Sequence, residues 1–450
     1  MLIECFTNYC IIINSFFAFP ATIIFLSTAV FFTIRTGFLQ IFGFKKFLSL
    51  IFYKHAQLKD TNIKAINPFH ALFTAMAATI GIGNIVGPTM AIATGGPGAL
   101  FWLLLYNILG AAIKFAEVTF SLQTRRETEN GDIIGGPTEY LKLVHPWLAK
   151  WYGLVTILLF AGWSGLQSNT LAKILEQESI ADWVTGLGLV IILLLILFGG
   201  AKRVGSWASK LVPLMFILYV SLSFFILFKD LTALKAAFIL IFNNIFSPAA
   251  AVGGFLGATI FQAIRWGTYR AIYITESGTG TSGFAHALAD TKVPTDQGIL
   301  AMFGSFAETF LCLLSGLSIL VTGVWTTVDA NSWNNTLIYQ AFKLNVPLIG
   351  KYILILIIGL FAFTTALGDC FNGGQSLASF TKHRGINYYY IFAVCITFLG
   401  AISDVRLIWE IMDIFLALVA IPNLIGLIIL AFKYPHVLKI KKERDSNGNH

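Results

Sequence analysis

Thr79, Gly81, Gly83 and Asn84 crowd one short stretch, "ATIGIGNIVGPTMAIATGGPG" (Ala78–Gly98), with six glycines and two prolines in apolar surroundings. Glycine and proline are the residues that most weaken a helix interior. A second stretch, "TESGTGTSG", holds Thr275, Glu276, Gly278 and Gly280 among three glycines, two serines and three threonines. A broken helix leaves free N–H groups at its new start and free carbonyls at its new end. The first attract a carboxylate, the second Na+ or an ammonium. Glycine lets a ligand meet the backbone with no Cβ in the way. The chemistry these residues suit is the holding of an ion and a zwitterion. A packing kink is the alternative, because small residues also let helices approach closely. Two breaks at matching places favour binding.

Other polar residues stand alone in apolar runs. Asn84 can give an amide oxygen to a cation or an N–H to a carboxylate, with a helix cap as the alternative. Gln167 in "AGWSGLQSNT" can bridge helices or touch a substrate. Lys114 and Glu117 stand i, i+3 on one face and are expected to pair as a structural unit. His286 is expected to be solvated near the inner end of its span. Glu276 and Asp369 are functional candidates by depth alone. Asp369 can bind an ammonium, hold a proton, or pair with Arg265 or Arg270. The five cysteines show no metal-ligand spacing.

These residues need a membrane to be deep in. Of 450 residues, 57% are hydrophobic and 12% charged, half the charge of an ordinary soluble chain. The mean hydropathy is +0.78. Long apolar runs predict an all-α polytopic protein with eleven spans near 12–34, 68–95, 99–123, 151–172, 183–200, 208–228, 255–290, 298–324, 352–380, 388–402 and 407–432. Alternating strand segments of a barrel are not seen. Of the 30 Lys and Arg, 21 fall on one side of these spans and six on the other. The positive side is cytoplasmic. The amino terminus is therefore expected outside and the carboxyl terminus in the cytoplasm, in the cell's inner membrane. The net charge of +8 then sets orientation and calls for no nucleic-acid partner.

The expected divisions are 1–67 (a first helix and a cytoplasmic amphipathic linker), 68–228, an outer loop 229–254, 255–432, and a basic cytoplasmic tail 433–450, expected to be disordered. Five spans run from each broken segment to the end of its division. Five is odd, so the second set is inverted relative to the first. Paired inverted sets that each open on an interrupted helix point to a secondary transporter with its site at the midplane.

The motif "GIGNIVGPTMAIATGGPGALFW", then "GAAIKFAEVTF", a basic loop and "ENGDIIGGPTEYL", resembles the alanine or glycine:cation symporter family. The stretch "AIRWGTYRAIYITESGTGTSGFAHALA" resembles that family's second signature. The likeness runs from about residue 15 to 435. It implies a leucine-transporter-like five-plus-five fold with one extra amino-terminal helix, and Na+-driven uptake of small neutral amino acids such as alanine or glycine. It also implies that Thr364 and Thr365 join carbonyls of Ala77 and Ile80 around Na+. The chain departs from the pattern where the family reads Ser-Asn-Glu-Ala-Gly and here stands Ile274-Thr275-Glu276-Ser277-Gly278. Where the family tends to Gly-Trp, this chain has Gly368 and Asp369. That exchange predicts a roomier, more polar pocket and a range shifted toward larger, polar or cationic amino acids.

The expectation is a Na+-coupled carrier, functional as a monomer in lipid, with no organic cofactor and no enzymatic activity. A proton-coupled carrier of a more polar amino acid is the alternative. A channel would want continuous pore helices and charge rings. An intramembrane enzyme would want a convergent nucleophile and base.

Overall fold

The computed structural model describes residues 2–52, 65–246, 260–327, 336–346 and 348–440. They form helices joined by short turns, with one small hairpin pairing β1 (Arg126–Glu127) to β2 (Ile133–Ile134). In chain order the helices are α1 (Leu2–Arg35), α2 (Leu39–Phe42), α3 (Phe44–Phe52), α4 (Pro68–Thr79), α5 (Ile82–Gly95) and α6 (Gly98–Gln123). They continue as α7 (Pro137–Tyr140), α8 (Pro146–Glu176), α9 (Asp182–Leu197), α10 (Gly200–Lys229), α11 (Leu231–Asn243) and α12 (Ile260–Thr275). The last six are α13 (Ser282–His286), α14 (Pro294–Thr322), α15 (Leu337–Asn345), α16 (Leu348–Thr381), α17 (Ile386–Ala401) and α18 (Val405–Lys433).

Every expected span falls on these helices, though residues 255–259 of one lie outside the described ones. Among the described residues, seven spans are long and apolar enough to cross a membrane by themselves: α1, α4–α5, α6, α10, α14, α16 and α18. The helices α9 and α17 are apolar but only 16 residues long. Burial sorts lining from rim. Over their most apolar 18 residues, 78% of those of the α4–α5 span are buried against 33% of those of α10, which turns Ile217 and Phe228 outward. Outward apolar side chains are what a lipid-facing surface requires.

The interrupted helices sit at the centre. The α4–α5 unit packs against α12, α14 and α16; α6 packs between α12 and α14; α8 packs on α16 and α17. Asn67 starts α4 by accepting from the Phe69 N–H at 2.8 Å, with Pro68 in the first turn, where its missing N–H costs nothing. The first break is only Ile80 and Gly81. The second spans 276–281, where Glu276 (φ 54), Gly278 (φ 107) and Gly280 (φ 78) hold left-handed conformations. Such conformations end a helix and suit glycine.

The expected linker before α4 is partly described. Phe47 on α3 stacks on Phe303 of α14 at 4.6 Å, and Lys46 reaches Asp296 at 3.0 Å, so α3 is docked on the protein. Residues 53–64 of the expected surface segment lie outside the described residues, as do 247–254 of the outer loop and 441–450 of the tail.

Candidate functional site

A cavity of about 10 Å³ lies between the two interrupted helices, with room for roughly one water. The first unit contributes Ala78, Thr79, Gly81 and Gly83, and α8 contributes Trp163 and Gln167. The second broken segment adds Tyr273 and Glu276, and α16 adds Thr365 and Asp369. Six of the residues singled out from sequence as substrate contacts therefore meet here: Thr79, Gly81, Gly83, Gln167, Glu276 and Asp369. Among the described residues, no Lys, Arg or His lines this cavity.

Gln167 spans the site. Its Oε1 accepts from the Ile82 N–H at 3.2 Å and its Nε2 donates to the Tyr273 hydroxyl at 3.4 Å. Glu276 accepts from the hydroxyls of Thr281 and Ser282. Asp369 is 1% exposed, and its two carboxylate oxygens have no hydrogen-bond partner among the described residues. The Trp163 indole N–H is likewise unpartnered. Buried polar atoms are nearly always satisfied, so unmet ones facing a cavity mark where a ligand's polar groups go.

Several expectations need correction. Asn84 is the cap of α5: its Oδ1 accepts from the Gly81 N–H at 2.9 Å. The amide satisfies a donor that the break frees, the cap role that is the alternative for it, and Asn84 does not line the cavity. Thr275, Gly278 and Gly280 are not cavity residues either. The second break is bound by the protein's own donors, because free carbonyls in hydrocarbon cost several kcal/mol each. Lys114 donates to the Thr275 carbonyl at 3.0 Å and Tyr106 to Ser277 at 2.9 Å. Asn423 donates to Gly278 at 2.9 Å and Tyr152 to Thr279 at 2.6 Å. A Cβ on Gly280 would lie 2.7 Å from the Tyr140 hydroxyl, so that glycine serves close packing.

The charged pairs also differ from expectation. Lys114 does not pair with Glu117; it bridges to Glu308 of α14 at 3.2 Å. Glu117 instead accepts from the Gly278 N–H at 3.0 Å and from Asn423 at 2.8 Å. Glu308 also accepts the Thr79 hydroxyl. Arg270 is not Asp369's partner; it makes a two-bond pair with Asp413 of α18 at 3.1 and 2.9 Å. His286 is fully buried, with Nδ1 2.8 Å from Gln297 Nε2, and is not solvated. Sequence reading passed over Tyr273, Trp163, Glu308, Asp413 and Asn423. A signal existed for the acids: each unmatched cation deep in a span requires a buried carboxylate elsewhere. The aromatics gave none.

The Thr365 hydroxyl donates to the Ile80 carbonyl at 3.3 Å, bringing two uncharged oxygens together beside the first break. A Cβ on Gly81 would sit 2.0 Å from that hydroxyl, so glycine is required for the approach. These uncharged hard oxygens fit an alkali cation. Ala77 lies one turn back on α4, its side chain buried. Thr364 points elsewhere: its hydroxyl donates to the Leu360 carbonyl at 2.8 Å, the usual back-bond of an intramembrane threonine.

Residues 3–450 match the profile of the Sodium:alanine symporter family. This chain belongs to that family. It is 36% identical over 415 residues to an uncharacterized transporter of Haemophilus influenzae, covering 91% of this chain and 90% of the other. It is 33% identical over 434 residues to the sodium/alanine symporter AgcS of Methanococcus maripaludis, covering 93% of each. Among solved structures it resembles MhsT in complex with L-phenylalanine, with a TM-score of 0.58 and 15% identity over 83% of this chain and 90% of that one. The fold is thus the leucine-transporter-like one. The chain is a multi-pass membrane transporter and not an enzyme, of a family of Na+-coupled amino-acid symporters.

Proposed function

We propose that the chain carries small amino acids into the cell with Na+ by alternating access, alanine and glycine being the reference substrates. The observation that carries this reading is the cavity itself. It lies where the two interrupted helices cross, beside the converging Thr365 and Ile80 oxygens. The substrate carboxylate meets the amino end of α5 at Gly83, beyond the Gly81 and Ile82 N–H groups that Asn84 and Gln167 hold, where the helix dipole favours an anion. The α-ammonium faces Glu276, and Na+ sits at Ile80 and Thr365. One wall is made by Trp163 and Tyr273, whose rings pack edge to face at 5.5 Å. The cavity is too small for any amino acid as it stands, so loading requires these walls to part, as alternating access demands. The charge distribution supports an outside amino terminus and a cytoplasmic carboxyl terminus.

The test is counterflow in proteoliposomes across a panel of amino acids, with and without a Na+ gradient. Accumulation of labelled alanine driven by inward Na+ is the expected result. Uptake that follows a pH gradient with no Na+ present would replace Na+ by H+ in this account. Flux without counterflow would indicate a channel.

A further inference from the structure

With both of its carboxyl groups ionised, the cavity's charges do not balance for alanine. It is walled by two carboxylates, Glu276 and Asp369, and, among the described residues, by no cationic side chain. The buried cations nearby are already held by acids: Lys114 bridges to Glu308 and Arg270 to Asp413. Glu276 has two hydroxyl donors from its own segment, whereas neither Asp369 oxygen accepts a hydrogen bond among the described residues. One Na+ and one neutral zwitterion bring a single net positive charge to two acids. One Na+ and a cationic amino acid bring two. A buried carboxylate without a partner is strongly unfavourable and is neutralised either by a proton or by a bound cation, so a ligand ammonium that completes the pair takes the proton's place at Asp369.

We propose that Asp369 recognises a second, side-chain ammonium, so that small cationic amino acids of the ornithine and lysine type are preferred over alanine and over neutral amino acids of equal length. This rests on the reading of the cavity as the site of Na+-coupled amino-acid symport. In that frame the two acids divide the work. Glu276 faces the α-ammonium common to all amino acids, and Asp369, on the opposing helix α16, faces the ammonium at the end of the side chain. The Trp163 N–H is a further unmet donor on the same wall, open to the carboxylate or to a water carried in with it.

The test uses the full chain in proteoliposomes at saturating Na+. Exchange of labelled alanine and of labelled ornithine is measured, with unlabelled ornithine, lysine, norvaline and norleucine as competitors. A hydrogen-bonded charge pair is worth enough to separate ornithine from its neutral counterpart norvaline by about ten-fold or more. Asp369→Asn should bring that ratio to near one within the variant, whatever its absolute rate, and Asp369→Glu should keep the preference. Should Asp369→Asn fail to fold, the wild-type ratio still decides, as does a larger rise in melting temperature with ornithine than with norvaline. Norvaline competing as well as ornithine in the wild type overturns the proposal. So does an Asp369→Asn protein that keeps the ratio and changes only its pH profile, which would make Asp369 a proton site. If neither labelled alanine nor labelled ornithine exchanges, the symport reading itself fails, which is a different outcome from exchange with the wrong ranking.

Discussion

The Lys114 ammonium lies 3.0 Å from the carbonyl oxygen of Thr275, the last residue of α12. Its counter-ion Glu308 accepts the hydroxyl of Thr79, the last residue of α4. One buried ion pair therefore ties the ends of both half-helices that lead into the breaks. Removing a single partner would leave a charge without compensation at membrane depth, which costs about 3–5 kcal/mol. Lys114→Met should lower the melting temperature sharply and abolish uptake. Lys114→Met combined with Glu308→Leu should recover most of the stability, because two apolar groups replace the pair, yet not the uptake. Equal melting temperatures for the single and double variants would show that the pair does not act as a unit.

Glu178, in the connection between α8 and α9, binds Tyr339 and Lys343 of α15 and Lys351 of α16. Lys351 chiefly, with Tyr339 and Lys343, lowers its carboxyl from 4.5 to about 2. A folded value below the unfolded one stabilises fully above the unfolded value and loses that contribution as pH falls through the folded one. The cluster should therefore act in full above about pH 4.5 and fade toward pH 2. Solvent screening keeps the contribution below about 1 kcal/mol. The measurement is the melting temperature of wild type and Glu178→Gln in detergent from pH 6 to pH 2. The gap between them should close on acidification; a gap independent of pH would count against the cluster.

The two breaks were legible because clustered glycine and proline interrupt a helix even in an apolar run. The orientation of polar groups around them was not. Asn84 has an amide that suits a cap and a ligand equally, and only the Gly81 N–H at 2.9 Å chooses between them. Lys114 and Glu117 share a helix face by spacing, but spacing within one helix says nothing of Glu308, 194 residues away. The same holds for Arg270 and Asp413, 143 residues apart. Helix periodicity is local, whereas the pairing of buried charges is set by which spans pack together. Asp369 stands out in the sequence by its depth, and its lack of partners among the described residues is visible only once Arg270 is seen to be engaged elsewhere.

Thr364 and Thr365 are adjacent and chemically identical, yet the helix points them about 100° apart. Thr365 reaches the Ile80 carbonyl at 3.3 Å and lies against Gly81; Thr364 bonds back to Leu360 at 2.8 Å. Of the two, Thr365 is the one whose hydroxyl faces the first break, and the Na+ reading rests on it. Valine keeps the shape of threonine and removes the hydroxyl, so each substitution tests that one oxygen. Thr365→Val should raise the Na+ concentration needed for half-maximal uptake by about ten-fold, the loss of one ligand to a charged group. Substrate affinity measured at saturating Na+ should move much less. Thr364→Val should leave the Na+ dependence within about two-fold of wild type, since its back-bond can be given up at small cost. Uptake as a function of Na+ in proteoliposomes separates the two. If Thr364→Val shifts the Na+ curve and Thr365→Val does not, the ion lies on the other side of α16 and is held by the wrong threonine for this site.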